Sequence, residues 1–114
     1  MEYVLLLVGD GGAQASAGEL GVRTGRLASW VEDLRRQGVL RRGGHIEGPE
    51  LRVRRADGRA TVVPLPDDVG APVRSWFLID ADGLDAAVHV ARSCPEADHG
   101  DVRVLPVSPE ATLP

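Results

Sequence analysis

The sequence lacks lysine altogether, and all thirteen of its basic residues are arginine. It has one cysteine, Cys94, so no disulfide can form within the chain. No apolar run approaches the roughly 20 residues that a membrane-spanning helix needs, and the opening Met1-Glu2 has no basic region of the kind that begins a secretory signal. We therefore expect a protein of the reducing cytoplasm that does not associate with membranes.

The chain is also short, at 114 residues, which allows one domain. A domain of this size buries only about 60–70% of the surface that its unfolded chain exposes. A large internal cavity is therefore difficult to build within one subunit, and we expect any site to lie on a face of a sheet or at a subunit interface. We expect the domain to span residues 1–107 and residues 108–114 to form a C-terminal tail.

Charge is distributed unevenly along the chain, although the net charge is only −4. The segment 35–59 holds eight arginines and three acidic residues, a balance of +5, which leaves −9 for the remainder. The arginine-rich middle is the one feature that suggests nucleic-acid binding. The overall acidity and the scarcity of aromatic side chains argue against it.

The pattern of apolar residues predicts two helices and six strands. Strands are expected at 3–8, 39–45, 51–55, 59–63, 73–80 and 102–107. The Asp57-Gly58 pair predicts a tight hairpin between the third and fourth strands. Apolar spacing from Leu27 to Leu34 predicts the first helix. The segment 16–19 has the spacing of a capping box, but the glycines at 18, 21 and 25 weaken any helix before Thr24. The second helix is expected to begin with Asp82 as its cap and Asp85 at its third position, with residues 84, 87, 88 and 91 as its buried stripe.

This order of elements is that of a ferredoxin-like βαββαβ fold, an α+β class, with an extra hairpin. The first strand is apolar on both faces, because Tyr3 and Leu5 alternate with Val4 and Leu6. The fifth strand is also apolar on both faces, since its residues 76 and 78 alternate with residues 77 and 79. Two helices cover one face of such a sheet, and an exposed apolar patch of that size is rare on a monomer. A second copy of the chain is the simplest cover, so we expect a homodimer.

Several short segments resemble the YCII-related family, in particular its DGPF-type branch. They are the opening residues 1–10, Gly38-Val-Leu40, Leu51-Arg-Val-Arg54 before Asp57-Gly58, Trp76-Phe-Leu-Ile79 before residues 82–87, Pro95, and His99-Gly100. The resemblance implies a dimeric α+β barrel. It also implies a family with few assigned activities, some of whose members act on small ring compounds as lyases or isomerases.

Two departures from that pattern bear on the site. The Asp-Gly-Pro-Phe stretch that names the branch belongs near residues 64–67, where this chain has Pro-Leu-Pro-Asp, and residues 69–72 replace the acidic and lysine residues that usually follow. The last strand has Arg103-Val-Leu-Pro106 where the family tends to have Glu-Val-Arg-Pro. If those residues form the family's site, this chain has lost it or rebuilt it.

Two histidines are the candidate catalytic residues. His99 lies in a turn between Asp98 and Asp101, and His45 follows two glycines at a strand end, where a ligand can approach the backbone closely. A histidine in such a place can transfer protons near neutral pH, and the alternative is a solvated loop histidine. His89 lies opposite the buried stripe of its helix and is interpreted as a surface residue.

Arg52 and Arg54 are the candidate substrate-binding residues, because they share one face of a strand and could grip a small anionic ligand. The alternative is edge-strand charge that prevents aggregation. No metal site is predicted, since Cys94 and His99 have no further ligands at metal spacing. No cofactor is predicted, since the glycines at 9–12 do not have the spacing of a dinucleotide loop.

Two functional hypotheses remain open from these residues. One is a small-molecule lyase or isomerase in which His45 or His99 transfers a proton and Arg52 holds an anionic group. The other is a non-catalytic dimeric module that binds a ligand or partner, which the missing Asp-Gly-Pro-Phe stretch favours.

Overall fold

A computed structural model describes residues 1–65 and 70–108 of the chain. The strands are β1 (Glu2–Val8), β2 (Leu40–His45), β3 (Arg52–Ala56), β4 (Arg59–Val63), β5 (Val73–Asp80) and β6 (Asp101–Val107). The helices are α1 (Ala17–Arg36) and α2 (Leu84–Arg92), and a single 3₁₀ turn (Pro95–Asp98) follows α2. All of the predicted tail except Ser108 lies outside the described residues, as do four residues of the loop after β4.

Four strands form one antiparallel sheet in the order β2-β5-β1-β6. Strand β5 lies between β1 and β2, and β1 lies between β5 and β6, so each helix connects two strands that are separated by a third. This is the split βαβ arrangement, and it confirms the predicted ferredoxin-like α+β class.

The predicted hairpin is confirmed, and it forms a separate two-stranded sheet of β3 and β4. Asp57 and Gly58 both have positive φ, 52° and 76°, as a tight two-residue turn requires. We call residues 52–63 the hairpin arm. The radius of gyration is 16.4 Å, whereas a compact chain of this length has about 13 Å, and Val53 and Val62 in the arm are exposed.

The core lies between one face of the four-stranded sheet and the two helices. It comprises Tyr3, Leu5 and Leu7 of β1, Phe77 and Ile79 of β5, Trp30 and Leu34 of α1, and Ala87, Ala91 and Cys94 from α2 and its end. The alternate residues of β1 and β5 are only half-buried. The predicted two-faced strands are therefore confirmed, and we call the second face, which includes Leu6, Trp76 and Leu78, the uncovered face.

Helix α1 begins at Ala17, seven residues before Thr24, where the glycines in this segment suggested the earliest start. Ser16 is its N-cap, and the Ser16 Oγ accepts a hydrogen bond from the backbone N–H of Glu19 at 3.1 Å. Such a cap contributes about 1 kcal/mol, comparable to the cost of one glycine in a helix. Burial of Trp30 and Leu34 on the same helix adds to this, so packing overrides local propensity.

Helix α2 also departs from its prediction at the N-terminus. Gly83, and not Asp82, is the N-cap, with no side-chain capping bond, and Asp85 is therefore at the second helical position. Leu84 is 56% exposed, so the buried stripe is narrower than predicted and consists of the small residues Ala87 and Ala91. Over the described ranges, no helix is both long and apolar enough to cross a membrane.

Candidate functional site

A cleft of about 730 Å³ opens between α1 and the end of the sheet where β2 finishes and β6 begins. Its apolar wall includes Leu7, Leu27, Val31 and Phe77. Its polar lining comes from β2, β5, α1 and the segment just before β6. A concave site with an apolar wall and a few convergent polar groups is typical of small-molecule binding.

His45 and Ser75 form the central polar pair of the cleft. They lie directly opposite each other on β2 and β5, so both side chains are on the helix side of the sheet, the side of Phe77. The His45 Nδ1 atom lies 2.8 Å from the Ser75 Oγ atom. Ser75 is 3% exposed, whereas His45 is exposed at the cleft.

This pair orients the imidazole in a way that suits proton transfer. The serine hydroxyl can either donate to Nδ1 or accept from it, because a hydroxyl is both donor and acceptor. In the neutral ring with its proton on Nδ1, the Nδ1–H group donates a hydrogen bond to Ser75, and the Nε2 atom has a free lone pair that can accept a proton. In the imidazolium that results, Nδ1–H still donates to Ser75, and the proton on Nε2 is available for transfer to the substrate. Ser75 thus supports both protonation forms of His45.

His99 lines the same cleft from the opposite side. It ends the 3₁₀ turn, and its backbone N–H donates to the Glu96 carbonyl at 3.0 Å. The following Gly100 packs so closely on the Val8 carbonyl that a Cβ at this position would collide with it. The His99-Gly100 turn is therefore fixed against the end of β1.

An ion pair between Arg23 and Glu96 connects α1 to the 3₁₀ turn within the cleft lining. The Arg23 Nε and Nη2 atoms lie 3.3 Å and 3.0 Å from the same Glu96 oxygen. Both side chains are largely buried, 17% and 23% exposed. Neither residue was a sequence candidate, because the contact joins positions 73 residues apart and no local pattern marks it.

Arg74 reaches the cleft through a β-bulge. Leu7 pairs with Ser75 and Val8 pairs with Val73, so Arg74 is the extra residue of β5, and bulges of this kind re-aim side chains. Its Nε and Nη2 atoms donate to the backbone carbonyls of Gly9 and Asp10 at 3.2 Å and 3.1 Å. A one-residue shift in register leaves no mark in the sequence pattern, so this residue was missed.

The structure brings His45 and His99 together in one cleft but places Arg52 and Arg54 elsewhere. Both arginines are in the hairpin arm, outside the lining of the cleft. Arg52 pairs with the neighbouring Glu50 at 3.2 Å. His89 is exposed on α2 and is also outside the lining.

The positions where the chain departs from the DGPF-type pattern also lie apart from the cleft lining. Arg103 is opposite Leu6, which places it on the uncovered face of the sheet. Pro64 and Leu65 are described and do not line the cleft. Residues 66–69, which complete the segment, lie outside the described residues.

Comparisons with known proteins bear on the fold. No protein-family model matches the chain, and no curated protein matches it. Among solved structures, it is similar to 5-chloro-2-hydroxyhydroquinone dehydrochlorinase from Burkholderia phenoliruptrix, in complex with 2,5-dihydroxybenzoquinone. The two are 15% identical with a TM-score of 0.54, and the match covers 95% of this chain and 94% of the other. At this identity the likeness shows a shared α+β fold, the dimeric α+β barrel fold, with two helices on an antiparallel sheet.

Proposed function

We propose that the protein is a lyase or isomerase that acts on a small ring compound by histidine acid–base chemistry, with His45 as the principal catalytic residue. The observation that supports this most directly is the 2.8 Å pairing of His45 with Ser75 at the wall of the cleft. A buried hydroxyl that fixes one ring nitrogen leaves the other for the substrate. This orienting contact is the arrangement expected of a general base.

In the proposed step, the Nε2 atom of His45 removes a proton from a ring carbon, and the electron pair of that C–H bond moves into the ring. In a lyase, the pair forms a new double bond as a leaving group departs from the adjacent carbon with its bonding electrons. In an isomerase, the imidazolium returns the proton to a different carbon. His99, across the cleft, would protonate the leaving group or the ring oxygen. Each positioned acid or base contributes about 10²–10⁴-fold in rate.

The shared fold supports this choice of reaction and substrate class. The structural neighbour is called a dehydrochlorinase and its structure holds a hydroxylated quinone, so this fold accommodates a six-membered oxygenated ring. The same likeness, with the segments that resemble the YCII-related family, supports membership of that family. In this chain, which lacks the DGPF-type residues, the site would instead be formed by Ser75, Glu96 and Arg74.

The proposal includes a cytoplasmic homodimer. The single cysteine is buried, which fits a reducing compartment, and the uncovered face presents Leu6, Trp76 and Leu78 on the side of the sheet away from the helices. Two such faces packed together would remove the apolar surface from water. The cleft is on the helix side, so each subunit would keep its own opening.

The test is binding and turnover with oxygenated rings. Purified protein is titrated with 2,5-dihydroxybenzoquinone and then incubated with a panel of chlorinated hydroxyhydroquinones, and chloride release is measured. We expect saturable binding, and turnover that His45→Ala lowers at least 100-fold while His89→Ala leaves it unchanged. Binding without turnover of any ring would contradict the catalytic proposal.

A second candidate function, a non-catalytic binding module, is favoured by the hairpin arm. Val53 and Val62 face each other across the arm and are 69% and 63% exposed, and four arginines lie on the same element. An isolated hairpin is marginally stable in water, so a partner that covers it would stabilise it. Loss of partner binding on arm substitutions, together with no effect of His45→Ala, would favour this reading.

A further inference from the structure

Some of the charged side chains that line the cleft are in ion pairs and others are not. Arg23 is paired with Glu96, and Arg35 is paired with Glu32 at 2.7 Å. Arg74 also lines the cleft, but in the part of the chain that the structure describes it makes no ion pair and contacts backbone carbonyls instead. Among the arginines that line the cleft, Arg74 is thus the one that makes no ion pair with a carboxylate of the described residues.

One edge of the Arg74 guanidinium group makes no hydrogen bond to the described residues and is available to a ligand. A guanidinium has five N–H groups, and here Nε–H and one N–H of Nη2 are bonded to Gly9 and Asp10. The remaining edge, formed by Nη1 and Nη2, still has a donor on each nitrogen. Two parallel N–H groups of this kind match a carboxylate or a pair of adjacent anionic oxygens.

The surrounding backbone fixes the guanidinium in position. Gly11 has a φ of +70°, a conformation that glycine adopts without strain, and a Cβ added there would lie 3.0 Å from the Arg74 Cζ and Nε atoms, so the loop packs closely against the guanidinium. The Arg74 carbonyl accepts a hydrogen bond from the Ile46 N–H at 2.9 Å, which holds the bulge to the residue after His45. A preorganised group loses little freedom when it binds a ligand.

We propose that Arg74 binds an anionic oxygen or carboxylate of the ligand, so that the cleft is specific for ring compounds that are anions. This inference rests on the proposed function, since it assigns the substrate class of the same cleft. Arg74 and His45 line the same cleft, so one small ring can contact the arginine and the base together. It takes the role that the sequence had assigned to Arg52 and Arg54. Three acidic residues line the cleft. Of these, Asp101 at the start of β6 makes no ion pair with the described residues.

The proposal has a structural alternative, in which Arg74 only holds the glycine loop through its two carbonyl contacts. The two roles differ in their dependence on ligand charge. A ligand-binding arginine discriminates between charged and neutral rings, whereas a loop-holding arginine affects both alike.

The experiment compares two rings of similar shape. One is 2,5-dihydroxybenzoquinone, whose enol groups are ionised at pH 7, and the other is 2,5-dimethoxybenzoquinone, which cannot ionise. Dissociation constants are measured by absorbance titration for the unmodified protein, Arg74→Gln and Arg74→Lys. Arg92→Gln, which removes the same charge from an exposed position of α2 outside the cleft lining, is the control.

We expect the unmodified protein to prefer the anionic ring, and Arg74→Gln to weaken its binding about 10- to 100-fold with little change for the neutral ring. Arg74→Lys should fall in between, because it keeps the charge and loses the paired donors, and Arg92→Gln should bind as the unmodified protein does. Equal loss for both rings, or no loss for either, would overturn the role of Arg74 and leave the cleft intact. Failure of the unmodified protein to bind either ring would contradict the proposed function and the inference with it.

Discussion

The rings of Trp30 and Phe77 meet edge to face, with their centroids 5.5 Å apart and their planes at 83°. Trp30 is further fixed by a hydrogen bond from its Nε1 atom to the Ser93 Oγ at 2.9 Å. Phe77 in turn lies against Gly43 of β2, where a Cβ would collide with its Cδ1 atom. Trp30 thus packs against the ring of Phe77, and Phe77 lies close over β2 and forms part of the wall of the cleft.

The substitution Gly43→Ala is therefore expected to destabilise the protein by about 1–3 kcal/mol, the usual cost of overpacking a filled core. Urea denaturation followed by tryptophan fluorescence measures it. Gly25→Ala is the matched control, since nothing lies within 4 Å of a Cβ there, and alanine in a helix should stabilise by up to about 1 kcal/mol. Equal effects of the two substitutions would contradict the packing of Phe77 on Gly43.

Ser75→Ala should change the state of His45 selectively. The substitution removes the hydroxyl that bonds to Nδ1, so we expect the ¹⁵N shifts of the His45 ring to change while those of His89 stay constant. The free energy of unfolding should fall by about 0.5–1.5 kcal/mol, as for one hydrogen bond. Unaltered ring shifts at His45 would show that the pair does not form in solution.

The assembly prediction concerns the uncovered face. Light scattering at micromolar concentration should give about twice the 12.1 kDa chain mass. Leu78→Glu should shift the protein towards monomer, because it places a charge in the apolar face. Leu84→Glu is the matched control. Leu84 lies on α2 and is 56% exposed, so this variant introduces the same charge away from the uncovered face and should leave the measured mass unchanged. A monodisperse monomer of the unmodified chain would refute this prediction.

Cys94 gives a prediction on pH. Burial raises the pKa of its thiol to about 11, so at pH 8 the native thiol should react with a disulfide reagent far more slowly than the urea-unfolded chain. The pKa is higher in the folded state than in the unfolded one, where it is close to 9. The unfolded chain therefore loses its proton first, and this group lowers stability as the pH rises from about 9 to 11. Rapid native reaction at pH 8 would contradict the burial.

The sequence predicted the parts of the fold that depend on local alternation. Two-faced strands around Leu5 and Phe77 and the Asp57-Gly58 turn follow from period-2 patterning and positive φ, and both are confirmed. The start of α1 was wrong because propensity alone cannot weigh glycines against a cap at Ser16 and the burial of Trp30. The predicted N-cap of α2 was wrong because Asp82 is adjacent to Gly83, the observed N-cap, and the side-chain preference for capping does not fix the first residue of a helix to within one position.

The candidate site was predictable only in part, for a related reason. His45 and His99 were recognisable by residue type and by their places at strand and turn ends. Ser75 and Arg74 depend on the register between β5 and its neighbours, and a bulge shifts that register by one residue. The position of Arg52 and Arg54 outside the cleft has a similar cause, because the sequence cannot show that β3 and β4 form a sheet separate from the other four strands.

The alternation of β1 and β5 has a consequence for how this protein can diverge. Side chains at odd-numbered positions, such as Leu5 and Phe77, face the helices and the cleft. Side chains at even-numbered positions, such as Leu6 and Leu78, face the opposite side of the sheet. Substitutions on one side of the sheet leave the residues of the other side unchanged. Under the proposed function and the proposed homodimer, ligand preference and self-association would therefore be two separately mutable traits, and a relative could change its substrate while it retained the same quaternary arrangement, or the reverse.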